Sequence, residues 1–292
     1  MTETDLVAGY PDPGLAPVSA SGPDSVVVPD VSQPGTPADY DDEPPVELGA
    51  GTHVLEVRGL VKRFGRKVAV NGVDFSMKTG QITGLLGPNG AGKTTVFYMI
   101  VGFLHPSAGA VYLDHHRLSS LPMYRRARLG IAYLPQEPSV FRKMTVEENV
   151  RAILETRPDL DRRHRKETLD RLLEEFGIAD LRRQYAYTLS GGERRRTEIA
   201  RALAIQPKFL LLDEPFAGID PIAVHEIKSI VRVLAAKGIG VLITDHNVRD
   251  TLEITHEAHI INRGKILVSG DRDAILASDT ARQIYLGETF RM

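Results

Sequence analysis

The sequence predicts an α/β fold: a parallel central sheet, preceded by an antiparallel β-layer and interrupted by an inserted α-helical subdomain. Three observations carry this expectation. Ile82 to Leu86 (ITGLL), Lys208 to Asp213 (KFLLLD) and Gly240 to Asp245 (GVLITD) are short apolar runs, the pattern of parallel strands buried on both faces. Directly after the first run comes GPNGAGKT, Gly87 to Thr94, which matches G-x-x-x-x-G-K-[ST] at every fixed position and leads into VFYMIVG. Strand, Gly-rich turn and helix in that order make a phosphate-binding loop, the mark of a P-loop NTPase core. Between the first and second runs, Val146 to Phe176 reads as helices, which implies a helical arm inside the α/β core.

The first 52 residues stand apart from this pattern. Nine of the 18 prolines and ten of the 38 acidic residues precede His53, with none of the 36 Lys and Arg. Few large apolar side chains and self-repelling charge predict a disordered acidic tail over residues 1–52. The mildly basic remainder, 53–292, is the expected nucleotide-binding domain, with its helical subdomain at about 137–190 and a C-terminal extension at about 265–292. Zero cysteines exclude a disulfide framework and thiolate metal sites, and fit a reducing compartment. No stretch approaches the ~18 apolar residues of a membrane span, and the N-terminus lacks the regions of a secretory signal. The chain therefore reads as cytoplasmic, meeting a membrane only through a partner.

From Val54, VLEVRGL and GVDFSM alternate or run apolar between turn residues, as short antiparallel strands do. In the turn Gly87, Pro88, Asn89, Gly90, Ala91, Gly92, successive backbone N–H groups followed by a helix N-terminus form an anion nest. Lys93 adds a compact positive charge directed at the β- and γ-phosphates, and Thr94, with Thr95 beside it, offers a hydroxyl to Mg²⁺. Thr145 can cap the first helix of the arm with Glu148 as its capping-box partner, and Pro158-Asp159 breaks into the second. LSGGE, Leu189 to Glu193, opens the helical run RRRTEIARALA: Ser190 can cap it, while Gly191 and Gly192 let a phosphate approach its N-terminus. With GPNGAGKT about 100 residues upstream and LLLDEP about 20 downstream, this turn is a second phosphate site. One chain cannot wrap both sites around one nucleotide, so a dimer of two copies is implied. Asp213 ends its strand where it can hold Mg²⁺ through the water shell, and Glu214 can reach the attacking water as general base. HIINRGKILVSG reads as a hairpin around Arg263-Gly264, and short helices follow. No internal repeat is visible, so each chain carries one such domain.

These residues together resemble the nucleotide-binding subunits of ABC transporters, from roughly Val54 to the C-terminus. The resemblance implies further roles: Gln136 in AYLPQEP as the Q-loop glutamine at Mg²⁺ and the attacking water, Asp220 in FAGID at the dimer seam, His246 in ITDHN as the switch histidine at the γ-phosphate, and Phe64 in KRFGRK stacking on adenine. ATP and Mg²⁺ are the implied ligands. Within that family, GIAYLPQEPSVFRKMTVEENV, LLLDEPFAGIDPIAV, VLITDHNVRDTL and the ending YLGETFRM are similar to the ATPases of lipopolysaccharide export, which power extraction of the lipid from the inner membrane; Glu193 and Asn247 agree with that group. It follows by resemblance that the chain works on the inner membrane's cytoplasmic face with two transmembrane permease subunits, contacted near Phe141 and Arg142. Phe141 is equally readable as a core residue of the arm.

Competing readings are an ATPase of another ABC transporter, such as a branched-chain amino acid importer, and a soluble ABC ATPase acting on nucleic acid or ribosomes. The basic runs Arg125, Arg126, Arg128, Arg162, Arg163, Arg165 and Arg194 to Arg196 read as solvated helix faces. With no Trp and few aromatics beside them, direct nucleic-acid binding is not expected.

Overall fold

A computed structural model describes residues 51–286; the tail expected over 1–52 lies outside them except for its last two residues, as does the end of the C-terminal extension, 287–292. Strands β1 (Val54–Phe64) and β2 (Lys67–Lys78) form a long antiparallel ribbon. Strand β3 (Ile82–Leu86) is buried along its whole length and feeds the phosphate loop into helix α1 (Lys93–Val101). Next come β4 (Ala108–Leu113), β5 (His116–Arg117), α2 (Met123–Arg128) and β6 (Ile131–Leu134). The arm follows as α3 (Val146–Glu155) and α4 (Arg162–Glu175), and the chain returns through α5 (Gly191–Leu203). Alternation then resumes with β7 (Phe209–Asp213), α6 (Pro221–Ala236), β8 (Gly240–Thr244) and α7 (Val248–Ile254). A hairpin, β9 (Glu257–Asn262) and β10 (Lys265–Gly270), leads to the short helices α8 (Arg272–Ala277) and α9 (Asp279–Ala281).

Among the described residues the strands form two sheets. One runs β2-β1-β4-β5, all antiparallel; the other runs β10-β9-β3-β8-β7-β6, parallel except for the β9-β10 hairpin. Side-chain alternation sorts the core. Leu210, Leu212, Val241 and Ile243 face a cluster shared with α3 to α6, whereas Phe209, Leu211 and Leu242 face a cluster shared with α1 and the antiparallel sheet. The central strands are thus apolar on both faces because both are covered. Their C-terminal ends, where parallel strands place functional groups, all open towards the phosphate loop.

Local chemistry fixes the element ends. Thr145 and Ser190 each close a complete capping box, with Glu148 and Glu193 reaching back to the cap residue's own amide. Arg263 and Gly264 both take positive φ, 47° and 76°, as a two-residue hairpin turn requires. One expectation is corrected here: Arg126 and Arg195 are not on solvated faces. Arg126 is 0 % and Arg195 6 % exposed; Arg126 donates to the carbonyls of Met99, Ile100 and Leu121, and Arg195 to the Pro135 carbonyl and to Glu198.

Candidate nucleotide-hydrolysis site

The phosphate loop is held open by its neighbours. Gly92 sits at φ 110°, and a Cβ there would lie 2.8 Å from the Ala69 carbonyl oxygen, so only glycine fits between β2 and the helix start. The hairpin turn supports it from the other side, Gly264 N–H donating to the Ala91 carbonyl at 2.8 Å. Lys93 folds back over this loop and donates to the carbonyls of Gly87 at 2.7 Å and Pro88 at 3.2 Å. Asn89, Gly90 and Thr94 are exposed, Thr95 partly so.

The chemistry gathers where β7 and β8 end side by side. Their parallel register pairs Asp213 with Thr244, whose hydroxyl donates to Asp213 Oδ1 at 2.7 Å, and the Tyr133 hydroxyl donates to Oδ2 at 3.2 Å. Glu214 follows in the left-handed region, φ 44°, a sparsely populated state for a side chain of this size. Its Oε2 accepts from Gln136 Nε2 at 2.9 Å and faces His246 Nδ1 at 3.2 Å. Two sequence-predicted residues from two loops therefore converge on one carboxylate oxygen of a third.

Charge is unbalanced in this pocket. Burial lowers the Lys93 pKa, against the pull of Glu214, Asp213 and Asp245. Burial likewise raises the Asp213 pKa, partly opposed by its hydrogen bonds from Thr244 and Tyr133. Asp245 is also raised by burial, while the amides of Asn247 and Phe216 oppose the shift. Asp213, Glu214 and Asp245 share the buried Lys93 ammonium and an exposed imidazole, and the buried Arg195 guanidinium, paired with Glu198, also acts on Asp213 and Asp245; carboxylates still outnumber cations.

The remaining predicted residues lie elsewhere. Ser190 caps α5, and Gly191 and Gly192 begin it close to the start of α6: a Cβ on Gly191 would meet Ile219, and one on Gly192 would meet Ala223 in the first turn of α6. Asp220 is exposed and caps α6, accepting from Ile222 N and Ala223 N at 3.0 Å each. Phe64 ends β1 at 42 % exposure, with the Lys62 ammonium over its ring. Phe141 is 46 % exposed, with the Arg201 guanidinium 4.9 Å above its ring. Its backbone is pinned by the fully buried Asn149, which accepts from Phe141 N and donates to Phe141 O.

Several working residues carried no assigned role in the sequence. Asp245 holds the turn into His246 by accepting from Phe216 N and Asn247 N. Arg195 donates to the Pro135 carbonyl beside Gln136 and pairs with Glu198, which accepts from Ser139 N; Arg201 donates to Ser139 Oγ. Asp245 had a visible signal, a buried-strand run ending in a carboxylate. The contacts of Arg195 and Glu198 cross about 60 residues of chain and had none.

A phosphate loop and an acid pair at the C-terminal ends of strands of one parallel sheet define a P-loop nucleotide-hydrolysing protein. The profile described as ABC transporter matches residues 70–217. The chain belongs to the ABC transporter family, as an ATP-binding subunit and an ATPase. It is 52 % identical over 241 residues to the lipopolysaccharide export system ATP-binding protein LptB of Acidithiobacillus ferridurans, covering 82 % of this chain and 100 % of that one. To LptB of Escherichia coli it is 49 % identical over 238 residues, covering 82 % and 99 %. A probable ABC transporter ATP-binding protein of Azorhizobium caulinodans is 56 % identical over 239 residues, covering 82 % and 84 %. Among solved structures, the ADP conformation of an ATP-binding cassette of an ABC transporter superposes with a TM-score of 0.72 at 31 % identity, covering 81 % of this chain and 99 % of that one.

Proposed function

We propose that this chain is the ATP-hydrolysing subunit of a transporter that extracts lipopolysaccharide from the inner membrane for export to the outer membrane. Hydrolysis is carried by one observation above all: Gln136 and His246 both meet Glu214 Oε2 at the end of the strand that presents Asp213. Glu214 takes the proton of the attacking water, Gln136 orients that water, and Lys93 and His246 hold the γ-phosphate charge. The cargo assignment rests on the likeness to LptB over almost its whole length.

The donors fit Mg²⁺. Asp213 and Gln136 offer hard oxygen atoms and Thr94 an exposed hydroxyl, and the excess of carboxylates over cations favours a divalent ion. Among the described residues no three His, Cys, Asp or Glu side chains form a metal cage, so nucleotide phosphates and water complete the shell. The ion supplies charge neutralisation at the phosphates when bound.

Two copies close on two ATP molecules, each held by the phosphate loop of one chain and the Ser190-Gly191-Gly192 turn of the other. This is supported by the exposure of Ser190, Asp220 and Ile222, the last at 75 %. No described helix is long and apolar enough to cross a membrane, so two permease subunits hold the pair on the cytoplasmic face, docked at Phe141 and Arg142. In this reading residues 53–292 are the cassette and 137–190 its helical arm.

Glu214→Gln is the direct test. ATP binding persists and turnover falls by about 10²-fold or more; hydrolysis at the wild-type rate overturns the assignment. For the cargo, purification from detergent-solubilised membranes brings down a permease pair with lipopolysaccharide, whereas a permease of an amino acid importer overturns it.

A further inference from the structure

The last described turn of the chain meets the hydrolysis site from behind. Arg282–Leu286 form a single π turn, pinned by Arg282 Nε donating to the Leu276 carbonyl at 2.9 Å. Turns of this kind recur at functional sites. The Tyr285 hydroxyl donates to the Asp245 carbonyl at 3.3 Å, and the Gly87 amide partly offsets the rise in the phenol's pKa. Gly87 opens the phosphate loop; Asp245 is the residue before His246. The ring packs on a cluster that includes Leu86, just before Gly87, and Val248, just after Asn247. Burial pushes the phenol pKa up to about 12, so the hydroxyl keeps its proton at neutral pH. A ring that only filled this cluster would not need a polar tip. Tyr285 and Asp245 themselves lie outside residues 70–217, the span that the family profile matches.

We propose that Tyr285 is a positioning residue: its ring packs on the cluster at the foot of the phosphate loop and its hydroxyl holds the Asp245 carbonyl of the His246 loop, so that ATP turnover depends on the C-terminal turn being docked. The effect passes through Asp245, whose backbone sets where His246 Nδ1 meets Glu214, 3.2 Å away. This rests on the hydrolysis reading above.

Tyr285→Phe keeps the ring and removes the hydroxyl. In the full-length chain kcat falls on the order of three- to ten-fold, the size of one net hydrogen bond. KM for ATP stays at the wild-type value, and the melting temperature falls by no more than a few degrees. Tyr285→Leu, which also removes the ring, lowers both kcat and the melting temperature. Wild-type kcat in Tyr285→Phe overturns the proposal, whatever its melting temperature. Glu214→Gln, measured alongside, separates the two readings. If it abolishes turnover while Tyr285→Phe is fully active, only the positioning role fails; if it is itself fully active, the hydrolysis site and the role built on it fail together.

Discussion

At the scale of single residues, burial decides which titratable groups set the response to pH. His259 is 3 % exposed, its Nδ1 2.8 Å from Ser269 Oγ and its ring 5.2 Å from Phe75, with Glu257 at 4.0 Å. Burial lowers its pKa from 6.5 to about 4. The unfolded chain therefore binds a proton near pH 6.5 that the native state refuses until about pH 4. Stability from this group is complete above the unfolded value and is lost as the pH falls between the two, about 2 kcal/mol by pH 5. The melting temperature of the wild type falls more steeply from pH 7 to 5 than that of His259→Asn; parallel curves would show that the imidazole does not titrate this way. Residue chemistry was legible in the sequence where it was local. Lys93 and Glu214 stand in short patterns with one physical use. Thr244 and Tyr133 reach Asp213 only through strand register, and no spacing in the chain announces that.

Among the elements, α1 shows how a helix end can be completed from outside. Its last turn contains no basic residue of its own. Arg126 of α2 instead donates to the carbonyls of Met99 at 2.7 Å and Ile100 at 2.8 Å, and to Leu121 at 2.9 Å. Burial lowers its pKa to about 10, which leaves it charged at neutral pH. Arg126→Met preserves bulk but strands those carbonyls, at a cost of about 2–4 kcal/mol. A denaturant midpoint unchanged from wild type would contradict that role. Since α1 begins at Lys93, weaker ATP binding accompanies the loss of stability. The same residue explains a misreading. In sequence, Arg125, Arg126 and Arg128 look alike, and only carbonyls about 25 residues away distinguish the middle one. The capping boxes of α3 and α5, by contrast, are closed within four residues and were readable in advance.

Across the whole molecule, α5 joins the two ends of the proposed machine. Its first turn carries the proposed Ser190-Gly191-Gly192 phosphate site. Further along, Arg195, Glu198 and Arg201 grip the segment from Pro135 to Phe141. Closure of a second copy on the first turn is thereby connected through one rigid helix to both Gln136 and the proposed permease contact. Phe141→Ala tests the outer end. Because the ring is 46 % exposed, the melting temperature changes little, whereas assembly with the permeases weakens by about 2 kcal/mol or more. A large drop in melting temperature with assembly intact would return Phe141 to the core. The order of motifs along the chain revealed the parallel sheet and the inserted arm. The grip of α5 on the Gln136 loop depends on packing between the arm and the sheet, which periodicity does not encode.

The left-handed backbone at Glu214 has one more consequence. Glycine or asparagine at that position would relax φ 44°, and any neutral side chain would remove repulsion from Asp213 and Asp245. The residue proposed to perform the chemistry therefore sits in a strained backbone among like charges, and relieving both would favour an inert chain. Evolutionary drift towards robustness would erase this carboxylate first, so only selection for turnover can keep it.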